Sequence, residues 1–131
     1  MATYEIDALL VTEKGVQINN SYSTDITGQV EMVSGDTVIF RTKNIGTLIL
    51  AVLCVPGEKD TVKVTIKGGD SVFSKKKDLT ITITDGNRLI LIPKDKYLTM
   101  NGSGKNTIQI SISLVRNGTQ KKFLSLLEIP D

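Results

Sequence analysis

Hydrophobic and polar residues alternate along the second half of this chain with the period of a β-strand. The segment 61–67 has the sequence TVKVTIK, in which apolar and polar residues take turns. The segments 79–84 (LTITIT) and 105–115 (KNTIQISISLV) repeat the pattern. Because successive side chains of a strand point to opposite faces, each segment predicts a strand with one buried face.

Turn residues separate the strand segments at short intervals. Three Asx-Gly dipeptides, which accept the positive φ angles of a type I′ turn, begin at Asp85, Asn101 and Asn117, and each predicts a hairpin. No window has the apolar spacing of an amphipathic helix. The chain then divides into ten predicted strands, at 3–11, 15–19, 26–32, 36–43, 47–55, 61–67, 79–84, 88–93, 105–115 and 121–129.

Many short strands without a helix are typical of two packed sheets or a barrel. A chain of 131 residues is long enough to bury a core as one domain, and its hydrophobic fraction of 40% is that of an ordinary globular protein. We therefore predict a single all-β domain over residues 1–131, an antiparallel β-sandwich of immunoglobulin-like or jelly-roll topology.

The residue types that build most active sites are scarce. The chain has no histidine, which removes the commonest general base and the commonest metal ligand. Its single cysteine, Cys54, cannot form an intramolecular disulfide, and its place in an apolar run predicts a buried thiol. A net charge of +2 with 5% aromatic residues does not suggest nucleic-acid binding. We expect no cofactor and no enzymatic activity.

Aspartates are the most numerous candidate ligands, but their positions favour structural roles. Asp36, Asp70, Asp78 and Asp85 stand where a predicted strand meets a turn. A side-chain oxygen at such a junction commonly accepts hydrogen bonds from the turn backbone. None of the nine aspartates belongs to a closely spaced series like that of an EF-hand, so we predict no metal site.

The sequence gives no sign of export or of a membrane span. Glu5 and Asp7 occupy the region where a signal peptide would be basic and then apolar. The longest apolar run, residues 48–55, is far shorter than the roughly 20 residues that a membrane helix needs. We expect neither a secretion signal nor a membrane partner.

One charge run is a candidate contact site. Lys75, Lys76 and Lys77 follow one another in the loop before the strand at 79. Such a run is either a solvated loop or a weak, salt-sensitive contact with an acidic protein surface.

Two strands are apolar on both faces. They are the segment 48–55, which includes Ile49, and the segment 123–127, which includes Leu124 and Leu126. One face of each must fill the core, so the other face is a candidate contact with a partner or a sister subunit. The alternative is a strand covered on both sides by the protein itself.

The order of motifs in the second half resembles that of a known family. A strand at 36–43 ends in a Lys-Asn turn, TVKVTIKGGD follows from 61, and DLTITITDGN follows from 78. KYLTMNG from 96 then precedes two further apolar strands. Over about residues 36–130 this layout is similar to that of small head-decoration proteins, also called auxiliary capsid proteins, of tailed bacteriophages.

The resemblance implies a structural component of the virion. Such a protein binds the major capsid protein on the outside of the shell, is made in the bacterial cytoplasm, and needs no cofactor. Residues 1–12 and 121–131 would be docking arms or arms exchanged in a homo-oligomer. Two other classes stay open, namely an adhesion or receptor-binding module of a phage fibre or cell surface, and a small hydrolase that uses carboxylates alone.

Overall fold

The computed structural model describes most of the chain, namely residues 1–16, 29–54, 61–69, 77–84, 86–100, 106–115 and 122–131. Within these ranges it contains one four-residue helix, α1 (Lys94–Tyr97). The strands are β1 (Thr3–Asp7), β2 (Leu9–Leu10), β3 (Gln29–Glu31), β4 (Thr37–Thr42), β5 (Gly46–Leu53), β6 (Thr61–Ile66), β7 (Leu79–Ile83), β8 (Arg88–Ile92), β9 (Thr99–Met100), β10 (Asn106–Val115) and β11 (Phe123–Pro130).

The strands form two sheets that pack face to face in one domain. In sheet A the order is β1-β4-β10-β6-β7, with β9 also paired to β10. In sheet B the order is β2-β11-β5-β8, with β3 also paired to β11. The predicted two-sheet, mostly β architecture is therefore confirmed at this level.

Both sheets are mixed, so the prediction of a purely antiparallel sandwich is wrong. β1 runs parallel to β4, and β2 runs parallel to β11. The N-terminal segment changes sheets at Ala8, whose N–H donates to the Arg41 carbonyl oxygen at 2.8 Å. Two parallel strands cannot be joined by a tight turn, so they need a long connection. Between β1 and β4 the chain passes through β2 and β3, which belong to sheet B, and between β2 and β11 it passes through the strands β3 to β10.

Two of the three predicted hairpins are also wrong. β7 lies in sheet A and β8 in sheet B, so the Asp85–Gly86 dipeptide connects the sheets. The same holds for the connection from β10 to β11 at Asn117, itself outside the described residues. β9 and β10 do pair antiparallel, as the dipeptide at Asn101 predicts, although the turn itself also lies outside the described residues.

Strand positions follow the alternation closely, and the differences lie at short elements. Nine of the ten predicted segments coincide with strands to within a few residues. The predicted strand at 15–19 has no strand at 15–16, and its remainder lies outside the described residues. The helix α1 was missed because four residues are too few to show a helical period, and it begins directly after Pro93.

The main core lies between the sheets and consists of alternate residues of the central strands. Phe40, Leu50, Ile110 and Leu126 have no exposed area. Each buried side chain of this size stabilises the fold by roughly 1.5–3 kcal/mol relative to exposure. No helix in the described part of the chain is long and apolar enough to cross a membrane.

Candidate contact surface

The outer face of sheet B carries a second apolar cluster. Its buried members come from the two central strands of that sheet, and they are Ala51, Leu53, Phe123 and Leu127. The chain covers these residues with its own N-terminal segment, since Leu9, Val11 and Val16 pack against them. The Val11 N–H also donates to the Glu128 carbonyl oxygen at 2.8 Å, which fixes the segment on the sheet.

The same outer face is open above strand β8. Leu89 and Leu91 are 64% and 63% exposed, respectively, and the half-buried Ile49 pairs with Leu91 in the β5–β8 register. We call Leu89, Leu91 and Ile49 the β8 patch. On its other side Ile49 pairs with Leu127, so the patch continues the covered cluster without a polar break. Exposed apolar surface that is continuous in this way commonly marks a contact with another protein.

Ile49 was among the contact candidates from the sequence, but the two leucines of the β8 patch, Leu89 and Leu91, were not. The sequence RLILIP at 88–93 is apolar at both alternating positions, which is the same signal that singled out the segment 48–55. That signal shows that both faces of a strand are apolar, but it does not show which of them the fold covers. Leu89 and Leu91 are exposed because β8 is an edge strand, and strand order cannot be obtained from alternation.

Two of the predicted contact residues face the core instead. Leu124 and Leu126 have no exposed area and belong to the cluster between the sheets. They cannot meet a partner in the folded chain, so their assignment as contact residues is wrong. The outward apolar residues of β11 are at odd numbers, and the N-terminal segment packs against the cluster that contains two of them, Phe123 and Leu127. Ile49 does face outward.

The terminal segments differ in how deeply the fold incorporates them. β11 is an inner strand of sheet B, and residues 122–128 are all buried. β1 is an edge strand of sheet A and is mostly exposed. In the single chain both segments dock on their own domain, and their exchange between copies stays a prediction.

The lysine run is largely outside the described residues. Lys75 and Lys76 fall there, whereas Lys77 is described and exposed. Next to it, Asp78 accepts a hydrogen bond from the Gly68 N–H at 2.8 Å, and so connects the two ends of the loop between β6 and β7. The prediction of a turn-capping role is confirmed for Asp78.

Of the other aspartates predicted to cap turns, one is described by the structure and two are not. Asp36 is 4% exposed and accepts the Ala2 N–H at 2.9 Å, so it anchors the N-terminal strand rather than its own turn. Asp70 and Asp85 lie outside the described residues. Cys54 is a buried thiol outside any disulfide, as predicted, and its N–H donates to Asn87 Oδ1 at 2.9 Å.

A cavity of about 340 Å³ lies where the N-terminal segment changes sheets. Its charged lining groups include Arg41 and Glu128. Arg41 Nε lies 2.8 Å from Asp7 Oδ1. Glu128, 2% exposed, accepts the N–H groups of Lys43 and Ile45 at 2.9 and 3.1 Å. These hydrogen bonds join the elements around the cavity, and they pair Asp7, Arg41 and Glu128 with other groups of the protein.

A second cavity, of about 250 Å³, opens at the end of β8. Leu48, Leu91, Ile92 and Pro93 give it apolar walls, and Lys94 and Asp131 add one charge of each sign. It adjoins the β8 patch, because Leu91 belongs to both.

The described residues contain no group of three His, Cys, Asp or Glu side chains that could hold a metal ion. Comparison with known proteins adds no assignment: no family model matches the chain, and no curated protein or solved structure is significantly similar to it. The site must therefore be interpreted from its own chemistry, which is that of an exposed apolar surface.

Proposed function

We propose that this protein is a non-enzymatic structural protein of the virion, a decoration protein that binds the capsid shell of a tailed bacteriophage. The observation that carries the proposal is the β8 patch, in which two leucines remain more than 60% exposed beside continuous apolar surface. A surface of this kind favours burial against another protein. The motif order of residues 36–130 suggests the major capsid protein as that partner.

The charged groups of the described residues support a structural role. Glu128 and Asp78 accept hydrogen bonds from backbone N–H groups that connect separate strands. Asp36 does the same for the N-terminal segment, and Arg41 is paired with Asp7. Each of these side chains stabilises the sandwich. Asp7, Arg41 and Glu128 also line the 340 Å³ cavity, beside Thr42 and Lys43, but they do so while engaged in these contacts.

A rigid sandwich suits this work. The chain passes from one sheet to the other several times, so each sheet is tied to the other by several connections. The immunoglobulin-like and jelly-roll topologies both contain such connections, and they stay predictions here. A stiff domain loses little conformational entropy when it binds, which favours attachment through a small surface.

Stabilisation of a shell would follow from repetition. A ligand that binds the assembled state but not the free subunits shifts the equilibrium toward assembly. When many copies bind neighbouring sites on one lattice, weak individual contacts add up to a large effect. A small patch such as that on β8 is sufficient for a protein that acts in this way.

The test is to count the copies of this chain in purified particles of the virus whose genome encodes it. Quantitative mass spectrometry against the major shell protein gives the number directly. Hundreds of copies in a simple ratio to the shell protein support the proposal. A few copies per particle would contradict it in favour of a fibre or neck component, and absence from the particle would end any virion assignment.

A further inference from the structure

The N-terminal segment crosses from sheet A to sheet B at Ala8, and the two sheets hold it unequally. We infer that residues 9–16, which we call the strap, open from sheet B about Ala8 while β1 stays on sheet A. The open state uncovers the second apolar cluster, so the strap is an intramolecular cover that controls how much of this face is exposed. The inference concerns the isolated chain and does not depend on the proposed attachment to a capsid.

The half of the segment before Ala8 is anchored to sheet A by backbone and side-chain groups. All five residues of β1 pair with β4. The Ala2 N–H donates to the buried carboxylate of Asp36 at 2.9 Å, and Arg41 Nε donates to Asp7 Oδ1 at 2.8 Å. The Ala8 N–H then donates to the Arg41 carbonyl oxygen at 2.8 Å. This half is therefore held along its whole length as far as Ala8.

The strap is held to sheet B by a much shorter ladder. β2 pairs with β11 through Leu9 and Leu10 alone, and the Val11 N–H adds one bond to the Glu128 carbonyl oxygen at 2.8 Å. Residues 12–15 are exposed, and the side-chain hydrogen bonds that they make with described residues stay within their own turn. A short, exposed stretch of this kind opens locally at a lower free energy than the inner strands of a sheet.

The covered face of β11 contains a polar group that the closed state leaves without a hydrogen bond. Ser125 lies between Phe123 and Leu127 on this face, because alternate residues of a strand share a face. It has no exposed area, and its Oγ has no hydrogen-bond partner. A buried, unpaired hydroxyl costs free energy, and water that enters the open state removes this cost. Ser125 therefore favours opening of the strap.

The packing around the pivot at Ala8 leaves room for the movement. Ala8 and Leu10 line the cavity of about 340 Å³. Close-packed interiors contain few voids larger than a water molecule, so the chain is loosely packed on this side. The side chain of Ala8 is also small, as is common at hinge positions. The start of the strap can therefore turn without displacing a packed core residue.

Opening changes how much apolar surface the outer face of sheet B exposes. Phe123 and Leu127 are 2% and 7% exposed in the closed state, and the strap packs against the cluster that contains them. Through Ile49, which pairs with both Leu127 and Leu91, this cluster is continuous with the β8 patch. The closed strap therefore hides apolar area that would otherwise favour association with other proteins.

The first experiment compares two amides on either side of the pivot by NMR hydrogen exchange, corrected for intrinsic rates. The Ala8 N–H bonds to sheet A and the Val11 N–H to sheet B, each at 2.8 Å, so the two bonds are matched. We expect Val11 to exchange at least about tenfold faster than Ala8, at a rate that low urea concentrations leave unchanged. Equal rates would overturn the inference, because the segment would then open or stay closed as one unit.

The second experiment removes the unpaired hydroxyl. Ser125→Ala makes the closed state less costly, so it should slow the exchange of Val11 by about tenfold and leave Ala8 unchanged. Ser111→Ala is the control, because Ser111 is an exposed serine of sheet A, and it should change neither rate. If Ser125→Ala left the exchange of Val11 as it is in wild type, Ser125 would not lie under the strap and the inference would lose its cause of opening.

The third experiment locks the strap. Leu9→Cys/Leu127→Cys places thiols at paired positions of adjacent strands, about 4.8 Å apart and within reach of a disulfide. Oxidation should slow the exchange of Val11 at least about tenfold and lower the binding of the dye ANS, and reduction should reverse both effects. The β8 patch and the buried Cys54 are common to the two states of this variant, so they serve as the background. Dye binding and exchange that oxidation leaves unchanged would refute the opening.

Discussion

Oε1 of Glu128 accepts a hydrogen bond from the backbone N–H of Lys43 at 2.9 Å, across 85 residues of sequence. Oε2 of the same carboxylate accepts the Ile45 N–H at 3.1 Å. Between them Asn44 has a φ of 56°, in the left-handed region. One buried side chain of sheet B thus holds the turn through which the chain leaves sheet A.

The substitution Glu128→Gln should reveal the strength of this cap. An amide has one acceptor oxygen, so its NH₂ group must face a backbone N–H that the carboxylate had satisfied. We expect the free energy of unfolding to fall by about 1–3 kcal/mol, measured by urea denaturation. Glu5→Gln is the control, because Glu5 is 45% exposed and lies 3.8 Å from Arg41, so its loss should cost at most about 0.5 kcal/mol. Equal effects of the two substitutions would contradict the capping role.

Gly46 permits the close approach of β5 and β11 just beyond this turn. A Cβ at this position would overlap the carbonyl oxygen of Ile129 and lie 2.8 Å from Pro130 Cα. Because both are backbone atoms of the paired strand, relief requires the strands to separate. Gly46→Ala should therefore lower the free energy of unfolding by at least about 3 kcal/mol, measured by thermal and urea denaturation.

Gly15→Ala is the matched control for Gly46→Ala. Gly15 has a φ of 81°, and a Cβ there would meet nothing within 4 Å. Its replacement should cost only the strain of the left-handed conformation, about 1–2 kcal/mol. If Gly46→Ala lowered the free energy of unfolding by less than Gly15→Ala, the result would contradict the close approach of β5 and β11 at Gly46.

The inner and outer faces of sheet B should respond differently to truncation. Leu126 has no exposed area, so Leu126→Ala leaves a cavity and should cost about 2–5 kcal/mol. Leu89 is 64% exposed, so Leu89→Ala should change the stability of the monomer by no more than about 0.5 kcal/mol. Both values are to be measured by urea denaturation at low micromolar concentration. Similar costs would contradict the assignment of the two faces.

The two faces of sheet B also show how much of the fold could be predicted from the sequence. Alternation identified the segment that contains Leu124 and Leu126 as apolar on both sides, and it placed the strand correctly. It could not show that the side chains of Leu124 and Leu126 face sheet A, because the direction in which a strand faces depends on the strands with which it pairs and packs. Leu89 and Leu91 gave the same signal, and their exposure follows from the position of β8 at the end of a sheet. Strand order arises from contacts distant in sequence, which a period of two does not encode.

Turn residues likewise showed where the chain turns, but they did not show which strands pair on either side of a turn. Gly86 has the positive φ of 77° that its Asp-Gly dipeptide predicts, yet the strands on either side belong to different sheets. A dipeptide specifies local backbone angles, whereas hairpin formation also requires the two strands to bury the same face. The aspartates gave a comparable result, since Asp36 caps backbone as expected but reaches a residue 34 positions away.

The contact between Asp36 and Ala2 should control how firmly the N-terminal strand is held. Asp36→Ala removes the acceptor for the Ala2 N–H, and we expect a loss of about 1 kcal/mol together with faster hydrogen exchange in β1. Asp36→Asn retains an acceptor oxygen and should remain close to wild type in both measurements. Exchange by mass spectrometry over residues 2–7 separates this local effect from global unfolding. If Asp36→Ala accelerated exchange equally in β10 or β11, Asp36 would stabilise the whole sandwich rather than anchor its first strand.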